Sequence, residues 1–116
     1  EDPAATKVPK ELKCKGYGIN AVIANGEYTG DIIHEDTDRT MNVTLKNAAV
    51  IGRIEDAYVK LDNARWTATA DSTVCLVQTE QIDAAAGITI TAKAGEGCGL
   101  KGEYVLASGG RLTVTG

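Results

Sequence analysis

Phenylalanine is absent from this chain, and there are only one Trp and four Tyr. A core built on large aromatic side chains is therefore not expected. Proline occurs twice, at Pro3 and Pro9, so everything after residue 9 keeps its backbone donors for a hydrogen-bond ladder. Basic clusters are lacking beyond Lys10, Lys13 and Lys15, and the net charge is −4, which disfavours a nucleic-acid partner. No apolar run approaches the roughly 20 residues of a membrane helix, so no membrane span is expected. His34 is the only histidine and no two cysteines lie close together, which excludes the usual zinc spacings. No CxxCH haem motif occurs, and no cofactor is expected.

What is present favours strands. The chain has 16 Ala, 13 Thr, 13 Gly, 9 Val and 9 Ile. Branched side chains suit a pleated surface. From Tyr17 onward, short alternating apolar segments are broken by Gly, Asn and Asp, with a turn signal at Asn25-Gly26. No dozen residues carry helical periodicity. With 116 residues, one domain is expected.

One internal echo selects among all-β arrangements. "VTLKNAAV" (43–50) and "VKLDNARW" (59–66) share Val, Leu, Asn and Ala at a separation of sixteen. A hairpin fold gives no reason for equal residues at equal spacing. A solenoid does, because each coil presents the same side chain to the same environment. Asn47 over Asn63 then forms an amide ladder of the kind made by stacked parallel strands. Small Ala48 and Ala64 fit a tight corner beside it. Sixteen residues is short for a coil, so one coil with a trimmed corner loop is expected.

The stretch "NARWTATADSTV" (63–74) carries a resemblance. Through Asn63, Ala64, Trp66, Asp71, Ser72 and Val74 it resembles the right-handed parallel β-helix repeats of bacterial autotransporter passengers and other secreted or cell-surface proteins. "GEYTGDI" and "NAAVIGRI" resemble strands of earlier coils, and "GITITAKAG" and "YVLASGGRLTV" resemble final coils. The likeness implies an all-β, single-domain parallel β-helix, or β-solenoid, of about five coils over residues 17–116. Residues 1–16 are expected as an N-terminal arm or cap. The likeness is specific for architecture and weak for activity. The chain is shorter than a typical passenger, and its three cysteines are unusual for that group.

The cysteines leave alternatives open. In a reducing compartment Cys14, Cys75 and Cys98 are buried thiols. In an exported protein two of them bridge. The pairing expected is Cys75–Cys98, one coil apart, with Cys14 free or bonded to another chain. The polar start "EDPAATKVPKEL" reads as a terminus left by cleavage, which fits export, or by truncation.

Candidate sites compete with plainer roles. His34, Glu35, Asp36 and Asp38 form the densest polar cluster, but the Gly and final Glu of a calcium loop are missing and a solvated loop fits better. Glycines 95, 97 and 99 lack the Lys-Ser/Thr of a phosphate loop and read as corner glycines. Asp31, Asp36, Asp56 and Asp62 on one face would allow a polysaccharide-acting enzyme. Trp66 could stack on a sugar ring or cover the core. "NVT" at 42–44 fits a glycosylation sequon within a strand.

The expected function is an extracellular, non-enzymatic structural protein. A solenoid end presents unpaired strand edges, and "RLTVTG" carries no evident cap. The expected partner is therefore a second copy, stacked head to tail into a fibre or surface layer. The alternative is a monomeric adhesin or glycan-binding module at the cell surface. A polysaccharide-acting enzyme comes last.

Overall fold

The chain was studied as a computed structural model. It describes the backbone of residues 9–16, 20–34, 40–78, 80–93, 97–99, 104–106 and 111–112, and side chains over 20–34, 40–78, 80–93 and 97–99.

Among the described residues, ten strands form one continuous sheet wound into a parallel β-solenoid of about four turns. In chain order they are β1 (Pro9–Gly16), β2 (Asn20–His34), β3 (Asn42–Ile51), β4 (Ile54–Asp62), β5 (Arg65–Ala68), β6 (Ser72–Gln78), β7 (Gln81–Ala84), β8 (Ile90–Lys93), β9 (Tyr104–Leu106) and β10 (Arg111–Leu112). The strands fall on three faces. The first carries residues 20–24, 42–46, 58–62 and 75–78, the second 27–29, 49–51, 65–68 and 81–84, and the third 32–33, 54–55, 72–74 and 90–93.

The echo is the register of this stack. Val43 pairs with Val59 and Leu45 with Leu61 across parallel β3 and β4. Sixteen residues complete a full coil here, contrary to the expectation that a corner loop had been lost. The corners are short because single residues turn them. Asn25, Asn47, Asp56 and Asn63 all hold left-handed φ between 51° and 59°. Asn and Asp are the non-glycine residues that enter this region most readily, since their short polar side chains bond locally. The preceding coil is longer, with Asn20 opposite Asn42, and its extra residues lie between His34 and Asn42.

Core columns follow from the register. Tyr28, Val50, Trp66 and Ile82 stack on the second face. Ile23, Leu45 and Leu61 stack on the first, beside Val43, Val59 and Leu76. All of these are buried. Two corners tolerate no side chain or one hydroxyl. A Cβ on Gly52 would lie 1.7 Å from the Gly30 carbonyl oxygen of the coil above, so residue 52 must be glycine. Ser72, the one buried polar side chain among the described residues, interrupts the column Ile32–Ile54 and Ile90. Its Oγ accepts from the Ile54 N–H at 3.1 Å and donates to the Ala70 carbonyl at 2.9 Å.

The ends differ from expectation. β1 lies parallel on residues 27–34 of β2, so 9–16 joins the sheet, while residues 1–8 lie outside the described residues. At the other end, β9 runs antiparallel to β8, and β10 antiparallel to β7. β9 and β10, in the stretch expected to form final coils, therefore reverse direction and close the third and second faces of the last coil. That reversal accounts for about four turns instead of about five. The first face of the last coil is covered by 97–99, where the Gly99 N–H donates to the Leu76 carbonyl at 2.5 Å. A disulfide joins Cys75 to Cys98 at the same place, with a Cα–Cα distance of 5.5 Å.

Candidate binding groove

The left-handed corners between the first and second faces stack into a row parallel to the solenoid axis. At such a corner the chain bends so that the residue before the second face points outward while the next packs inward. Asn47 and Asn63 are accordingly exposed, while Ala48 and Ala64 are buried. The Asn63 Nδ2 donates to Asn47 Oδ1 at 2.8 Å, so the two amides are joined from coil to coil. Below them, Glu80 Oε2 accepts the Asn63 backbone N–H at 2.5 Å, which satisfies a donor that the corner takes out of the ladder.

Beside this row runs an outward file on the second face. Glu27, Ala49, Arg65 and Gln81 follow one another in register. Gly26, which has no side chain, and the methyl groups of Ala48, Ala49 and Ala64 leave a hollow between the two rows. The result is an open, shallow groove of about 790 Å3, floored by small residues and walled by amides, with Glu27 at one end and Glu80 at the other. No aromatic side chain lines it.

The other sequence candidates lie apart from this groove. Trp66 is fully buried and its Nε1–H donates to the Gly52 carbonyl at 2.9 Å, so it does not stack on a sugar. Asp31 begins the third face, where its Oδ1 accepts the Arg53 N–H of the next coil at 3.0 Å. Asp71 repeats that role toward the Thr89 N–H at 3.0 Å. Asp56 turns a corner, and Asp62 pairs with Lys46 across the first face, so the structure does not gather Asp31, Asp56 and Asp62 into one group. Asp36 lies outside the described residues, as do Glu35 and Asp38. His34 Nδ1 lies 3.0 Å from the Asp56 carbonyl, and Nε2 is buried without a partner among the described residues. Cys14 falls in β1 opposite Ile32, and its side chain is not among those described. Gly97 takes a positive φ of 87° in the covering segment, while Gly95 lies outside the described residues.

No match is found among family models, curated proteins or solved structures.

A second hollow on the third face, about 300 Å3, collects Arg53, Glu55, Asp56, Asp71 and several Thr. Its carboxylates are largely engaged. Glu55 pairs with Arg53, and Asp71 holds a backbone N–H. Among the described residues, no three His, Cys, Asp or Glu side chains converge as a metal site, and no helix is long and apolar enough to cross a membrane.

Sequence reasoning reached Asn47 and Asn63 and missed Glu27, Ala49, Arg65 and Glu80. Their places follow from the register of the stacked coils, which brings them beside the corner Asn residues. Asp31 and Asp71 were also missed as corner acceptors. Each directly precedes the third-face strand of its coil, which is the sequence mark of that role.

Proposed function

We propose that this chain is an extracellular, non-enzymatic β-solenoid module that holds a ligand along its Asn corner, an adhesin or glycan-binding module. The reading follows the right-handed parallel β-helix repeats of bacterial secreted and surface proteins that the chain resembles. One observation carries it: a polar groove runs unbroken across the stacked coils, with small floor residues that leave room for a partner. The Cys75–Cys98 bridge supports an oxidising, extracellular setting.

The test is retention of labelled protein on plates coated with polysaccharides or with gelatin. Wild-type protein should be retained on at least one coat, and a variant carrying Asn47→Gly and Asn63→Gly should wash off. Equal retention of both proteins, or of neither, overturns the reading.

A second reading, a fibre or surface-layer subunit stacked head to tail, draws on the terminal strands. Among the described residues β1, β9 and β10 each pair with one strand only. Two features weigh against it. β1 contains Pro9, Lys10, Lys13 and Lys15, the residues by which natural edge strands resist pairing. The far end reverses to antiparallel, which breaks the repeat that a stacked copy would have to extend. Filaments seen by electron microscopy of the oxidised protein would restore this reading over the first.

A further inference from the structure

We propose that the groove binds a linear, neutral polysaccharide lying along the solenoid axis, with one sugar unit meeting each coil. This rests on reading the groove as the ligand-binding surface.

The period is the first argument. Neighbouring strands lie about 4.8 Å apart, so corner amides recur at that interval along the axis. The 2.8 Å contact between the amides of Asn47 and Asn63 shows that they follow this stacking. A pyranose unit in an extended chain has a similar length, so successive units meet Asn25, Asn47 and Asn63 in turn, and Glu80 at the last level. An extended peptide advances about 3.3 Å per residue. It falls out of step within two coils, and its ladder groups would find amides at irregular offsets.

Hydrogen-bonding capacity is the second argument. A side-chain amide offers two donors and an acceptor with two lone pairs. The Asn63–Asn47 bond uses one donor and one lone pair. Both kinds of group are left over on the outward side. Sugar hydroxyls donate and accept at once, so they can satisfy both. An anion would use only the donors, and an apolar chain neither.

Charge is the third. Glu27 and Glu80 bracket the groove, Arg65 lies between them, and the whole chain carries −4. Two acids against one base leave the groove net negative, so it repels a polyanion. A neutral chain meets no opposing charge, and the Arg65 guanidinium adds donors for its hydroxyls.

The groove spans four coil levels, from Asn25–Glu27 to Glu80–Gln81. Affinity should therefore rise with chain length up to about four units, one per strand spacing, and then level off. Without an aromatic platform it should be weak, with Kd on the order of 1 mM.

The test titrates the intact, oxidised, 15N-labelled chain with linear β-1,4-linked glucose oligomers from one sugar to a hexamer. Expected are shifts in the side-chain amide signals of Asn47 and Asn63 and in the Arg65 Nε signal, with affinity levelling at about the tetramer. The Asn47→Gly and Asn63→Gly variant keeps corners that glycine also adopts, and should lose about tenfold in affinity. Ala49→Tyr, which fills the floor, should lose at least as much. No shift with any oligomer, affinity independent of length, or tighter binding of polygalacturonate overturns the inference. If the oligomers fail while retention on gelatin still depends on Asn47 and Asn63, the inference falls and the surface-module reading stands. If that dependence is also absent, both fall.

Discussion

Asn63 does two separable things, and substitution can divide them. Its backbone holds φ of 51°, and its side chain joins the amide row. Asn63→Gly preserves the first and deletes the second, so stability should change by less than about 1 kcal/mol. Asn63→Ala places a Cβ in the left-handed region and should cost about 1–2 kcal/mol. Urea denaturation of the two variants reads the difference. Equal loss in both would mean that the side-chain bond, not the backbone turn, dominates the position. This explains why the corner was legible in sequence: Asn at a sixteen-residue repeat meets both a backbone need and a stacking need. The groove beside it was less legible. Glu27, Arg65 and Glu80 point outward, where packing imposes no periodic pattern, so nothing in the sequence tied them to the corner.

At the scale of elements, β5 and its neighbours show what a strand pattern does and does not convey. Alternation placed Val43, Leu45, Val59 and Leu61 inward, because a period of two on a half-buried strand states which face is covered. It could not say that Trp66 is core and not surface. That depends on the Gly52 carbonyl, which lies in the neighbouring coil's corner fourteen residues away and accepts the indole N–H. Trp66 should therefore emit at short wavelength and resist quenching by iodide, and Trp66→Ala should destabilise by about 3–5 kcal/mol. A red-shifted, iodide-quenched emission would place the ring in solvent and contradict this packing. Strand direction is likewise silent in a period-two pattern. β9 and β10 look like further coils in sequence, yet they run antiparallel to the coil they cover. The disulfide secures that covered end. It closes a loop of 23 residues between Cys75 and Cys98, and removing it with Cys75→Ser and Cys98→Ser should cost about 3 kcal/mol in the chain-entropy account. The denaturation midpoint of the double variant against wild type measures it.

For the whole molecule, the balance lies between a repeat that could extend and ends that discourage extension. A parallel stack propagates by adding the same layer again, and every coil here is a template for the next. The protein should nevertheless elute as a monomer of 12.1 kDa in size-exclusion chromatography. Replacing Lys10, Lys13 and Lys15 with Val should convert it to high-mass species, because β1, which pairs on one side only among the described residues, would then keep Glu11 as its single charge. A variant that stays monomeric would shift the protective role to Pro9 or to residues beyond β1.

The register of the stack also sets an order of assembly. Each parallel strand bonds to one 16–22 residues earlier, so a coil can close as soon as that much more chain has emerged. Folding can then proceed layer by layer from the N-terminal side as the chain emerges, with each finished coil templating the next. Cys98 enters late in that sequence. The disulfide should therefore record completion of the last coil, and its formation should trail the burial of Trp66.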